Sequence, residues 1–225
     1  MKTNFNHIGS LRAVVIIAGL FCLVNSPTAA ASGPFNSTGE PAVVILRPGV
    51  TGDQIQDALN SLPASGGEVV LPPGNIFIRQ PLILRRDFQS LRGSGAATVL
   101  RLVDNANCPV IILGEPVNSP KRVVKNLCVS DLTIDGNRKN QTRELWRLAG
   151  EGSEIRNNGI TIQHTEDSVV RNVVAAHCRS GGLVTTLGVR RLAVNNFESF
   201  ENEFDGLACY LTEASTFTGL NLHHN

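Results

Sequence analysis

The chain has 225 residues, with 20 Lys and Arg against 19 Asp and Glu, so it is close to electrically neutral. No basic run stands out, which argues against a nucleic-acid partner. Aromatic residues are 5% of a chain that is 42% hydrophobic, an aliphatic bias suited to a narrow interior and a single domain.

Residues 1–31 read as an export signal. Lys2 and Arg12 flank a polar start, an apolar stretch runs from Ala13 to Val24, and Ala29-Ala30-Ala31 offers a small-residue cleavage site. The stretch is too short to span a bilayer stably. The mature part, 32–225, is therefore expected to be secreted, to the periplasm, medium or cell surface, with no membrane partner after cleavage. Four cysteines remain there: Cys108, Cys128, Cys178 and Cys209. An even number in an exported chain permits two disulfides, but the spacings match no disulfide scaffold and no zinc site, so buried small apolar residues are the favoured reading.

Residues 42–46 read as a short strand closed by Pro48-Gly49. After it, Ile55, Ala58, Leu59 and Leu62 fall on one helical face, with Thr51 or Asp53 as the cap and Pro63 as the stop. Residues 68–71, 76–78, 82–84 and 99–102, together with Leu91, continue as brief strands between Gly- and Pro-rich turns. A helix ahead of stacked strands has a physical role, since it covers an apolar end that would otherwise be exposed.

From residue 129 onward a pattern recurs. Val129, Leu132 and Ile134 match Val170, Val173 and Ala175, then Val194, Phe197 and Ser199, then Phe217, Leu220 and Leu222. Successive units open on Gly159-Ile160, Gly182-Leu183 and Gly206-Leu207. The steps read from Val129 are 41, 24 and 23 residues, which places an insertion of about 17 residues between Asn137 and Gly159. Bursts of apolar residues this short are strands. One strand per unit cannot bury its own face, so the units must stack. The expected fold is all-β: a right-handed parallel β-helix, a solenoid with an N-terminal capping helix, spanning 32–225. A leucine-rich-like horseshoe is the second choice.

This chain resembles the pectate-lyase-like superfamily of right-handed β-helix proteins. The likeness lies in 51–59 (TGDQIQDAL), 66–74 (GGEVVLPPG), 91–95 (LRGSG), 132–137 (LTIDGN) and Asn158-Gly159-Ile160. Ile134-Asp135-Gly136-Asn137 is similar in particular to mannuronan C5-epimerases, although residues 158–163 read NGITIQ where those enzymes carry their catalytic run. The resemblance implies a polysaccharide as partner and an outward-facing groove on one stacked strand.

Period-two alternation points Ile160, Ile162, Leu183, Thr185, Leu207 and Cys209 inward. The outward set is then Thr161, Gln163, Val184, Thr186, Ala208 and Tyr210, which holds no carboxylate. Proton abstraction α to a uronate carboxyl needs a base, a donor and a neutralising group. His164 is the candidate base, with Glu166 and Asp167 beside it, and Tyr210 the candidate donor. Arg143, Trp146, Arg147 and Arg156 in the insertion, with Gln163, are the candidate contacts to an acidic sugar through ion pairing and ring stacking. Asp131 and Asp135 are the candidate calcium ligands, Ca²⁺ being the one cofactor considered. Each has a plain structural alternative: a solvated turn, a surface tyrosine, or an Asp retained for its turn. Asn137, Asn202 and Asn225 share a coil position at which Asn accepts left-handed backbone and hydrogen-bonds its neighbour above.

The repeat halts at Asn225 without a cap, so the β-helix is expected to be incomplete at that end or to self-associate through the open coil. Two functional readings follow: a lyase- or epimerase-like enzyme on an acidic polysaccharide, or a non-catalytic glycan-binding or remnant β-helix.

Overall fold

A computed structural model describes residues 42–143 and 155–225. The leader expected at 1–31 lies outside them. The elements in order are β1 (Ala42–Ile45), α1 (Gly52–Ser61), β2 (Gly67–Val70), β3 (Gly74–Ile78), β4 (Leu82–Leu84), β5 (Gln89–Arg92), β6 (Thr98–Leu102), β7 (Ile111–Leu113), β8 (Val124–Lys125) and β9 (Cys128–Asp135). Then come β10 (Ile160–Gln163), β11 (Thr165–Glu166), β12 (Val169–Ala176), β13 (Leu183–Thr186), β14 (Val189–Arg190), β15 (Ala193–Phe200), β16 (Leu207–Cys209), β17 (Thr212–Glu213) and β18 (Thr216–His223). Short 3₁₀ turns occupy Gly95–Ala97 and Arg138–Asn140.

The strands form three parallel sheets. Sheet A runs β1-β2-β5-β9-β12-β15-β18, with β3 joined through β6 to β9. Sheet B runs β16-β13-β10-β7-β4, and sheet C runs β17-β14-β11-β8. The chain visits B, C and A in turn on each later coil, an order consistent with a parallel β-helix. Register follows the sequence repeat, with Val129, Val170, Val194 and Phe217 stacked across β9, β12, β15 and β18. Their side chains, with Ile160, Ile162, Leu183 and the inward aliphatic residues of β2 to β7, fill one continuous interior. The 41-residue step is a coil of ordinary size plus the insertion after β9.

Helix α1 forms where the apolar spacing places it. Thr51 is the N-cap, and its side chain and that of Gln54 exchange hydrogen bonds with each other's backbone N–H, closing a capping box. Ile55, Ala58 and Leu59 enter the core. The Gln56 side-chain amide donates to the Ile83 carbonyl at 3.2 Å and accepts from its N–H at 2.7 Å, taking the place of a strand beyond β4.

Corners recur in register and in left-handed backbone. One stack is Phe88, Asn126, Asp167, Arg191 and Ala214; others are His164, Leu187 and Leu211, and His177, Glu201 and His224. A fourth breaks each long strand of sheet A at Asp131, Asn172, Asn196 and Gly219. There Asn172 donates to Asp131 at 2.8 Å and Asn196 to Asn172 at 3.0 Å, a side-chain ladder along the stack. An L-residue in this conformation costs roughly 1–2 kcal/mol, least for Asn and Asp. The stack of Asn202 and Asn225 hydrogen-bonds as expected, Asn202 donating to Asn225 at 2.8 Å. Its left-handed residue is one position earlier, however, at Glu201 and His224, while Asn137 itself is left-handed.

The Gly that opens each unit has a packing cause. A Cβ on Gly159 would lie 2.6 Å from the Gly182 carbonyl oxygen, and one on Gly182 would lie 2.6 Å from that of Gly206. All four cysteines are free thiols, so no disulfide forms among them. Burial pushes the Cys178 and Cys108 thiols up to about 12, the behaviour of small core residues, whereas Cys209 is exposed.

Gly182→Ala is expected to lower unfolding free energy by about 1–3 kcal/mol through overpacking. Denaturant titration checks this, and an unchanged midpoint contradicts the stacked-coil packing.

Candidate functional site

On the outer side of sheet B, Ile112, Thr161, Val184 and Ala208 lie in register. Thr161 and Gln163 do face outward, but they are fully buried, which corrects the expectation of an open groove there. Gln163 donates from Nε2 to the carbonyls of Glu115 and Val117, the latter at 2.8 Å, so the segment after β7 lies over it. Thr161 accepts from Asn158 at 2.9 Å. Gln163 is thus a strut, and its Oε1 is buried without a hydrogen-bond partner among the described residues. On the last coil Leu207 is half-buried yet still packs against the core, as alternation suggested, whereas Cys209 is exposed.

His164 occupies a left-handed corner, its Nδ1 3.1 Å from the Leu187 carbonyl. Glu166 and Asp167 are committed elsewhere. Arg191 meets Asp167 at 2.6 Å and Glu166 at 2.8 Å, and Lys125 meets Glu166 at 3.1 Å. Hydrogen bonds from Lys125 and Arg191 hold the Glu166 carboxyl below its ordinary range, and Arg191 does the same for Asp167. Both stay ionised as partners of these cations and are poor proton donors. Tyr210 is exposed, at the end of β16. It stands two strand spacings from the coil of His164, roughly 10 Å between backbones.

Among the expected glycan contacts, Arg143 and Arg156 are exposed and precede β10. Arg143 is fixed through its backbone, donating to Asn107 and accepting from Asn157. Trp146 and Arg147 lie outside the described residues. His164 follows the opposite end of β10, a strand of four residues, or about 13 Å. The structure does not gather Arg143, Arg156, His164 and Tyr210 into one constellation.

Asp131 and Asp135 have separate partners. Burial of Asp131 opposes ionisation, but hydrogen bonds from Asn172 and Ser130, with Arg171 and Arg92 nearby, leave its carboxyl below the ordinary value. Asp135 pairs with Arg101 at 2.5 Å and meets His177 at 3.4 Å. Calcium needs about six to eight oxygens converging on one point. Among the described residues no group of three or more His, Cys, Asp or Glu side chains could hold a metal ion. This pair therefore does not fit the calcium site.

What does converge is a corner. The residues that follow the sheet A strands, from four successive coils, line a cleft of about 610 Å³ that includes Arg138, Lys139, Arg179, Glu203 and His224. Three permanent cations face one carboxylate there, Arg179 standing 3.6 Å from Glu203. The Arg179 Nε is buried and has no hydrogen-bond partner among the described residues. Sequence reasoning does not single out Arg138, Lys139, Arg179 and His224 as a group, and only the stacking of the coils brings them into one basic cleft.

No family model and no curated protein matches the sequence. Among solved structures, the chain is similar to a candidate glycosyl hydrolase from Parabacteroides merdae, with 13% identity and TM-score 0.53, covering 76% of this chain and 88% of that one. It is also similar to ORF18 of Geobacillus virus E2, with 16% identity and TM-score 0.50, over 74% of this chain. The A-module of the Azotobacter vinelandii mannuronan C-5 epimerase AlgE4 aligns at 21% identity and TM-score 0.48, over 75% of this chain. The match spans 38% of the viral chain and 53% of the epimerase module. The first two likenesses support the β-helix fold and nothing further.

Because Glu166 and Asp167 titrate below their ordinary values, they stabilise the fold above the carboxylate range, and that contribution is lost as pH falls through the lowered values. Arg191→Ala is expected to lessen the acid-side fall in melting temperature, measured from about pH 6 down to about pH 2. A variant that loses stability with acid as steeply as the native chain contradicts the pairing.

Proposed function

We propose that this protein is an exported right-handed β-helix, capped at its N-terminal end by α1, that holds an acidic polysaccharide in the basic corner cleft. The carrying observation is that Arg138, Lys139 and Arg179 line one cleft in which Glu203 is the carboxylate side chain. Guanidinium and ammonium groups suit the carboxylate or sulfate of a sugar, Arg by a planar fork and Lys as a point charge. Arg143 and Arg156 precede β10, at the start of the coil that follows this corner, and offer further cations to a longer chain.

This reading favours binding over turnover. Lyase or epimerase chemistry requires base, donor and neutralising group within reach of one sugar ring. His164 and Tyr210 are separated from one another by two coils, and the cations lie across β10 from His164.

The test is binding of the chain from residue 32 onward to polygalacturonate and alginate oligosaccharides, with a neutral glucan as control. Expected are binding to the acidic chains that weakens with added salt, no binding to the glucan, and a loss of about tenfold or more in R138A/K139A. Equal affinity for neutral and acidic glycans contradicts the proposal. Unsaturated uronate products that vanish in His164→Ala or Tyr210→Phe would move the reading to a lyase.

A further inference from the structure

The cleft holds one group whose charge is not fixed. Resting on the acidic-glycan reading, we infer that the cleft is proton-linked: the His223–His224 pair sets its charge and tightens it on an anionic sugar group as the medium is acidified. His223 ends β18 and projects from the outer face of sheet A, where its ring stacks on Phe200 at 5.0 Å and 8°. Its Nε2 lies 3.2 Å from a Glu198 carboxylate oxygen, which also accepts from Asn221 at 3.0 Å. Its Nδ1 lies 2.8 Å from the Nδ1 of His224, and His224 lines the cleft.

Proton arithmetic follows from these contacts. One proton, and only one, lies between two nitrogens 2.8 Å apart. The Nε2 proton of His223 is held by Glu198. With the pair neutral, His224 donates its Nδ1 proton to His223. A first added proton makes either His224 an imidazolium that still donates to His223, or His223 an imidazolium that donates to His224. Either state puts a positive charge at the edge of the cleft. A second proton would set two N–H groups against each other, break the contact and free the His224 ring.

The charges facing this pair act in opposite senses. Glu198 on β15, Glu201 in the corner stack beside His224 and Glu203 across the cleft favour the added proton, while Arg138, Lys139 and Arg179 oppose it. An anion seated among those three cations offsets their opposition, so ligand and proton each favour the other, and the coupling is reciprocal. The third histidine of this face answers to other groups. His177 meets Phe200 edge-on and sits between Asp135 at 3.4 Å and Glu201 at 3.3 Å.

A sulfated dextran oligosaccharide is the probe, because sulfate stays ionised throughout the range in which imidazole titrates. Calorimetry at constant ionic strength is expected to give a dissociation constant about fivefold or more lower at about pH 5.5 than at about pH 7.5, the low end of ordinary coupling. His224→Asn, which keeps a residue tolerant of the left-handed corner, is expected to bind with the same affinity at both pH values, whatever its level, so that the difference is lost. Equal affinities for the native chain at both values, or a full pH difference in His224→Asn, overturns the linkage while leaving the glycan site standing. No binding at either pH overturns both. Proton NMR of the ring resonances gives a reading without ligand: His223 and His224 should titrate in two coupled steps, and His223 in one step in His224→Asn. Independent single-step titrations of both rings in the native chain also overturn the proposal.

Discussion

Parallel strands stacked in one register are the constraint from which the rest of this molecule follows. Each residue sits about 4.8 Å from its counterpart on the next coil, so whatever a coil places at a given position must tolerate a copy of that position above and below. Inside, this selects aliphatic side chains that stack along one axis. At the start of each coil it selects Gly159 and Gly182, because the neighbouring carbonyl leaves no room for a Cβ, and Gly206, where the Asn225 side chain does the same. At the break in sheet A it selects Asp131, Asn172 and Asn196, whose side chains bond each other along the stack.

The repeat was legible because the interior repeats. Val170, Val194 and Phe217 pair at the spacings the sequence shows, and the excess in the 41-residue step is the insertion. The helix after β1 and its apolar face were also legible, but its cap was open between Thr51 and Asp53, and the structure selects Thr51 with Gln54 as its partner. The coil containing β7 and β8 was not, because residues 114–123 separate a three-residue from a two-residue strand and erase the period. The corners were hidden for a different reason. Left-handed positions are filled by Phe88, Leu187, Arg191 and Leu211 as well as by Asn, so backbone pairing to adjacent coils, and not residue type, holds them there.

The candidate site was legible only in its ingredients. Alternation gave the correct side for Thr161 and Gln163, but it carries no information about a distant segment folding over them. The separation of His164 from Tyr210 depends on counting coils, and the engagement of Glu166 and Asp167 depends on Arg191, one coil further on. Arg138, Arg179, Glu203 and His224 are scattered over 87 sequence positions, from 138 to 224, and meet because each follows the same sheet. Chemistry in such a fold collects at corners, where side chains escape the alternation that fixes the strands and yet remain stacked.

Because the cleft exists only if the coils share one register, a cross-link across that register is the most direct measurement. Val174 on β12 and Glu198 on β15 are paired outward positions, about 4.8 Å apart between backbones, within the Cα separations a disulfide bridges. The account predicts that V174C/E198C oxidises to this bond in the folded chain, located by non-reducing peptide mapping, while V174C/F200C, displaced by one outward position, does not. Formation of the displaced bond in place of the matched one would contradict the stacking, and the cleft with it.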